Sequence, residues 1–314
     1  MLTGFEAILP LFFVVACGYL ASRWFLDSSM LPAINQFVYY FAVPALLFRA
    51  AREMSLQGML YWPGIAGFLM GVVLTLLVLQ LVNRLLRLGL RGERLIIGGM
   101  NSTFANYAYM GIPLTFTLLG EQAGPVTVMI ILLGNLLIIG GTHVAIEAAR
   151  QKGRAWRSLW AIVNNSLLRN PIFLSTTTGL LFSLGDVATP SAINRGINLL
   201  ADAAIPVALF CLGAGLKFRS LASSGAVLSL LLTLKLIVQP LLTWCALWVL
   251  GVEDPLWLVA TVLLSALPTG ALAHVVALKY QVSHQETSQA IVLSTLLSLL
   301  TVSVWVALLL PGLP

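Results

Sequence analysis

The stretch Asn101-Ser-Thr-Phe-Ala-Asn-Tyr-Ala-Tyr-Met-Gly-Ile-Pro-Leu114 places polar groups and a helix-breaking pair inside an apolar run long enough to span a bilayer. Hydrocarbon tolerates non-helical backbone only where protein or a water-filled cavity surrounds it. Pro113 has no amide proton and its ring clashes with the carbonyl of Tyr109, while Gly111 lets the backbone open. The stretch therefore predicts two half-helices meeting at Gly111 to Leu114. Read as helix up to that break, Asn101, Ser102, Ala105, Asn106 and Tyr109 share one face. Such a face reads as a binding surface; the alternative is a proline kink whose amides and hydroxyls are satisfied by neighbouring helices.

Hydrophobic residues make up 59% of the chain and charged residues 9%, with a mean hydropathy of +0.97, values outside the range of soluble domains. The fold class is all-α integral membrane, in contact with the lipid bilayer. At roughly 20 residues per span, helices 1 to 10 are predicted near 6–23, 30–49, 61–82, 95–119, 122–146, 166–184, 191–216, 224–250, 255–279 and 287–310. Basic residues gather after the odd-numbered helices: Arg23, then Arg84, Arg87, Arg91 and Arg94, then Arg150, Lys152, Arg154 and Arg157, then Lys217 and Arg219, then Lys279. The opposite side holds Arg49, Arg52 and Arg195 among the acids Glu6, Glu53, Glu121, Asp186, Glu253 and Asp254. The positive-inside rule then puts both termini outside. The net charge of +6 belongs to these short connections and gives no support for nucleic-acid binding. Val14-Val-Ala-Cys17 imitates a lipoprotein cleavage box, but no basic residue precedes the run and Arg23 follows it, the flanks of a helix entering from outside. Cys17, Cys211 and Cys245 all sit in apolar runs and are assigned packing roles.

The second half repeats the first. Pro10 is followed by Gly18-Tyr-Leu and Pro171 by Gly179-Leu-Leu at the same spacing; Ala33-Ile-Asn35 matches Ala192-Ile-Asn194; Pro44-Ala-Leu-Leu-Phe48 matches Pro206-Val-Ala-Leu-Phe210. Five spans per copy is an odd number, so the copies run in opposite directions, the inverted-repeat plan of secondary transporters. The first repeat covers 1–148, a cytoplasmic connection 149–160, and the second repeat 161–314. Symmetry requires a broken helix 9 to match helix 4, and Leu264-Ser-Ala-Leu-Pro-Thr-Gly-Ala271 provides one at Pro268 and Gly270. Crossing breaks near mid-membrane present half-helix amino termini at Gly111 to Leu114 and Thr269 to Ala271, which favour an anion such as a carboxylate.

The Asn106-Tyr-Ala-Tyr-Met-Gly-Ile-Pro-Leu114 motif, Arg169-Asn-Pro171, Pro206 followed by Leu212-Gly-Ala-Gly-Leu216, and Ala266-Leu-Pro268 followed by Ala277-Leu-Lys-Tyr280 resemble the auxin efflux carrier family along the whole chain. That family includes plant auxin carriers and bacterial permeases for small carboxylates. The resemblance implies a fold related to bile-acid sodium symporters, with a scaffold of helices 1, 2, 6 and 7, a mobile core of helices 3 to 5 and 8 to 10, a homodimer joined through the scaffold, and a bacterial inner-membrane location. Where the family often has a glycine near the helix 4 asparagine, this chain has Tyr107 and Tyr109, which leaves the substrate's identity open. The 147–160 connection is far shorter than the cytosolic loop of many plant carriers, so regulation there is not carried over.

The expected function is elevator-type secondary transport of a small organic anion, auxin-like or dicarboxylate. The substrate-binding candidates are Asn106, Tyr109, Gly111, Pro113, Pro268, Thr269, Gly270 and Lys235. Lys235, near mid-membrane in helix 8, either attracts the anion, switches with a proton, or forms an ion pair with Asp202 in helix 7. Asp202 shares a face with Asn194 and Asn198 that either lines the pathway or packs on a neighbour. His143 and His274 read as hydrogen-bonded structure, and His284 falls in a connection. Ser102, Thr103 and Thr269 are available oxygens for a coupling sodium ion. No histidine and acid spacing suits a metal, no nucleophile has a base beside it, and no cofactor or nucleotide motif is present. An intramembrane enzyme and an anion channel are the competing functions.

Overall fold

The computed structural model describes residues 2–27, 29–52, 60–150, 170–216 and 225–310, and among them every regular element is helical. Glu53, the connection from residue 151 onward, Arg169, Lys217 and Arg219 lie outside the described residues, as does the side chain of Glu6. The first three helices are α1 (Leu2–Trp24), α2 (Leu31–Arg52) and α3 (Trp62–Leu85). The fourth is interrupted, with α4a at Gly92–Thr103 and α4b at Tyr107–Leu119. Then come α5 (Glu121–Arg150), α6 (Pro171–Leu184), α7 (Ser191–Ala214) and α8 (Gly225–Val249). The ninth is again interrupted, with α9a at Pro255–Ala266 and α9b at Leu272–Tyr280, and α10 (His284–Leu309) closes the series. α2, α3, α5, α7, α8 and α10 are long and apolar enough to cross a membrane. Phe13, Leu199 and Trp248 are 67%, 76% and 78% exposed, a surface that water would penalise and lipid accepts. The chain is a multi-pass membrane protein.

Lipid tails are as apolar as leucine, so helices in a bilayer associate through close packing at small residues rather than by hydrophobic drive. α1 crosses α7 so tightly that a Cβ on Gly18 would stand 2.0 Å from the Phe210 carbonyl oxygen, and one on Gly213 would stand 1.8 Å from that of Val15. α6 meets α2 in the same way, with Gly179 against the Phe48 carbonyl at 2.7 Å. The two glycines and two phenylalanines are the residues that the sequence matches between halves, and each glycine presses on the phenylalanine of the other half. α3 packs on α8 through Gly67 against Leu247 and Gly71 against Thr243.

α1 and α7 carry Pro10 and Pro206 inside continuous helix. In three further helices a wide π-turn precedes an interior proline: Val38–Ala42 before Pro44, Tyr107–Gly111 before Pro113, and Leu234–Val238 before Pro240. Proline's ring would strike the carbonyl four residues back in a regular α-turn; an i→i+5 turn moves that carbonyl aside. Gly111 and Pro113 therefore lie within a continuous α4b, and the expected break at Gly111 to Leu114 is corrected. The helix opens earlier, at Phe104–Asn106.

Because Gly213 faces backbone, which cannot yield, Gly213→Val should lower thermal stability in detergent by at least the 1–3 kcal/mol typical of overpacking. Gly196 in α7 has nothing within 4 Å of its Cβ position, so Gly196→Ala should leave stability unchanged or raise it by about 1 kcal/mol of helix propensity, read as an equal or higher melting temperature.

Candidate functional site

The two interruptions meet. Phe104–Asn106 and Pro268–Gly270 run antiparallel, bridged at Ala105 and Thr269. The Asn106 N–H donates to the Pro268 carbonyl at 2.9 Å and the Gly270 N–H to the Phe104 carbonyl at 3.1 Å. Gly270 allows this approach, since a Cβ there would lie 2.5 Å from the Phe104 ring and 2.6 Å from the Ala105 oxygen. The Thr269 amide donates to Ser294 Oγ at 3.1 Å and its hydroxyl to the Asn101 carbonyl at 2.9 Å. The amides of Thr269 and Gly270, expected to be free for an anion, are thus already bonded. The Gly111 N–H likewise donates to the Asn106 carbonyl at 3.0 Å, and Gly111 serves to admit Leu264 and Leu267.

The carboxyl ends of both first half-helices are capped from α8. Lys235, fully buried, donates from Nζ to the Ser265 carbonyl at 2.7 Å and to Gln239 Oε1 at 2.7 Å. Gln239 Nε2 then donates to the Thr103 carbonyl at 2.9 Å. One lysine and one glutamine a turn apart therefore satisfy the last turns of α9a and α4a, where aligned peptide dipoles concentrate about half a negative charge each. Asp202 is not the partner of Lys235. It pairs with Arg49 at 2.8 Å, and Arg49 also holds Glu121 at 2.7 Å. Asn194, on the same face of α7, accepts from Arg52 at 2.8 Å and hydrogen-bonds Thr189. Lys235 also borders neither cavity described next.

The amino ends are where space opens. A cavity of about 390 Å³ is lined by Tyr39, Asn106, Ala108, Tyr109, Asn135, Asn170, Ala271 and Leu272 among others. A second, of about 400 Å³, includes Asn35, Asn106, Tyr109, Cys211, Ala271, His274 and Ser288. Asn106, Tyr109 and Ala271 border both. Asn106 is 4% exposed and its Nδ2 has no hydrogen-bond partner among the described residues, which puts a buried donor between the cavities. The N–H groups of Ala108 and Tyr109 have no acceptor in their own helix, and nor have those of Ala271 and Leu272 opening α9b. Among the described residues no Asp, Glu, Lys or Arg lines either cavity, and the helix amino ends supply a positive field there.

Of the face predicted on helix 4, the interruption keeps Ala105, Asn106 and Tyr109 at the cavities. Asn101 turns to Thr287 at 2.9 Å, and the Ser102 and Thr103 hydroxyls donate back to the carbonyls of Gly98 and Gly99. His143 contacts the Tyr280 hydroxyl at 2.9 Å, and His274 borders the second cavity while contacting the His284 carbonyl at 3.2 Å. Asn35, Asn135 and Asn170 were not anticipated as lining residues. Asn135 stands inside the apolar run Met129–Ile139, a signal that an intramembrane polar residue deserves on its own.

Two interrupted helices crossing between cavities, inside a multi-pass helical membrane protein, are the architecture of a membrane carrier. The chain belongs to the auxin efflux carrier family, whose model, described as a membrane transport protein, matches residues 3–306. It is 29% identical to a Rhizobium meliloti (strain 1021) protein named "Putative malonate transporter", over 94% of this chain and 92% of that one. It is 24% identical to auxin efflux carrier component 8 of Arabidopsis thaliana, over 94% of each. Over 76% of its length it is 30% identical to the lysosomal cholesterol signaling protein of Mus musculus, spanning 29% of that protein. The family and these carriers place the chain among transporters rather than enzymes.

Removing Gln239 leaves the Thr103 carbonyl and one Lys235 proton buried and unpaired. Gln239→Leu should therefore cost about 1–3 kcal/mol for each stranded group, read as a fall in melting temperature. Lys235→Met combined with Gln239→Leu should cost less than the two single changes added together, because each single variant strands the other's partner.

Proposed function

We propose that the protein is a secondary transporter of a small organic anion whose carboxylate binds at the crossing, against Asn106 Nδ2 and the amino ends of α4b and α9b. The observation that carries this reading is the buried, unpartnered Asn106 donor between two cavities. With no lining cation among the described residues, the helix-end field, about 0.3–2 kcal/mol per end, supports anion selectivity. Malonate and auxin, in the names of the relatives, both carry carboxylates, which supports the substrate class. Tyr109, beside Asn106 in both cavities, shapes the remainder of the substrate's space, and Pro268, Thr269 and Gly270 hold the crossing rather than the ligand.

Ten crossings in two inverted five-helix repeats are the topology we adopt, supported by the reciprocal contacts of Gly18 with Phe210 and of Gly179 with Phe48. The moving body comprises α3 to α5 and α8 to α10. Buried hydrogen bonds tie it together, from Gln239 to Thr103, Thr269 to Asn101, Asn101 to Thr287 and Trp305 Nε1 to the Leu236 carbonyl. α1, α2, α6 and α7 form the scaffold of a homodimer in a bacterial inner membrane. Arg49 spans the boundary, holding Asp202 on α7 and Glu121 on α5. Sliding of the core past the scaffold, an elevator cycle, breaks that bridge and little else that is polar.

Uptake of radiolabelled mono- and dicarboxylates into proteoliposomes, with and without imposed sodium, proton and potential gradients, tests the function and its coupling. Asn106→Ala should weaken the transported anion by about 10- to 150-fold, the 1.5–3 kcal/mol of a hydrogen bond to a charged group; parental affinity in a folded variant removes the crossing as the site. With both termini outside, a cysteine at Asp186 in a cysteine-free background should react with an impermeant thiol reagent on intact cells. One at Arg87 should react only after permeabilisation, and the reverse pattern inverts the topology.

A further inference from the structure

An apolar groove of about 530 Å³ runs along the outside of α3, α4a and α5, bounded by Phe68, Val72, Leu76, Met100, Ile138 and Gly141 among others. Its end at Leu79, Gln80 and Leu95 adjoins a separate cavity of about 640 Å³, which Leu95 also lines together with Asn83, Arg84, Arg87 and Arg91. From Phe68 to Gln80 the helix rises about 18 Å at roughly 1.5 Å per residue, close to the ~15 Å of half a hydrocarbon core. The groove thus has the length and polarity of an acyl chain, and the basic cavity sits where a headgroup would be.

Two further features fit that occupant. Gly141 lies exposed in mid-α5 with nothing within 4 Å of its Cβ position, so the slot is open at a residue that weakens the helix by about 1 kcal/mol relative to Ala. Arg84, Arg87 and Arg91 are exposed, no acid lines their cavity, and among the described residues none of the three forms an ion pair. Guanidinium groups grip phosphate through paired N–H donors, and three of them repel a zwitterionic headgroup's own cation while accepting a net negative one.

We propose that this composite site binds one anionic phospholipid, an acyl chain lying in the groove and the phosphate held by Arg84, Arg87 and Arg91. The bound lipid packs against α4a, whose last residue, Thr103, lines the groove and is capped by Gln239. Lipid occupancy therefore stiffens one arm of the crossing, whatever the protein carries.

The test uses the full chain, purified and delipidated in a neutral detergent, with bound lipid counted by native mass spectrometry and stability read as melting temperature. Phosphatidylglycerol should bind at concentrations at least tenfold below phosphatidylcholine and raise the melting temperature. The R84Q/R87Q/R91Q variant should lose that preference, and Gly141→Phe, which fills the slot while leaving every arginine in place, should reduce retention of phosphatidylglycerol. Should the triple variant fail to fold, Arg91→Gln alone and Gly141→Phe carry the same comparison. Equal binding of the two lipids, an unchanged preference in the arginine variants, or full retention in Gly141→Phe overturns the proposal. A stabilisation reproduced by inorganic phosphate alone overturns it too, in favour of a free-anion site.

Discussion

Each interrupted helix strands carbonyls and amides that hydrocarbon cannot solvate, and the two extended interruptions resolve this by hydrogen-bonding to one another. In water the pair from Asn106 to Pro268 and from Gly270 to Phe104 would contribute about 1 kcal/mol each. In a bilayer, leaving either unmade costs several times more. Neither interruption is tenable without the other, so α4 and α9 are energetically one unit. Gly270 is the residue at which side-chain size would decide whether that unit forms.

The remaining groups at the crossing are divided unequally. Carboxyl ends are finished by the chain itself, through Lys235 and Gln239 at Ser265 and Thr103. Amino ends are left open to the cavities, with Asn106 Nδ2 beside them. Side-chain donors against the negative ends and unpaired amides at the positive ends give the crossing a polarity that suits an anionic visitor. Fully buried, the Lys235 side chain is matched by two acceptors, the Ser265 carbonyl and Gln239 Oε1.

Much of the architecture was legible. Runs of apolar residues separated by arginine-rich connections outline the helices, and glycines and phenylalanines that match between the halves meet in the structure, Gly18 at Phe210 and Gly179 at Phe48. Pro268 marks its interruption correctly, because the residue before a proline is pushed into the extended region, as Leu267 is at ψ 156°. Pro113 misleads by the same rule. A wide turn absorbs it, and the real interruption at Phe104–Asn106 carries neither proline nor glycine, being fixed by its partner strand and by Gln239, both distant in sequence. The Lys235 to Asp202 pairing failed for a related reason: similar depth in two helices says nothing about facing, and Arg49 lies nearer to Asp202. Asn106 and Tyr109, polar residues in an apolar run beside the opening, line the cavities there.

A π-turn is an α-helix with one residue too many. In α2, α4b and α8 the surplus residue sits ahead of a proline, so deleting it would close the turn and drive the ring back onto a carbonyl. In α5 no proline follows Gly134–Ile139, so there alone one residue could be removed with the flanking faces left in register. Span length counted in residues and bilayer thickness counted in ångströms are uncoupled at that turn of α5.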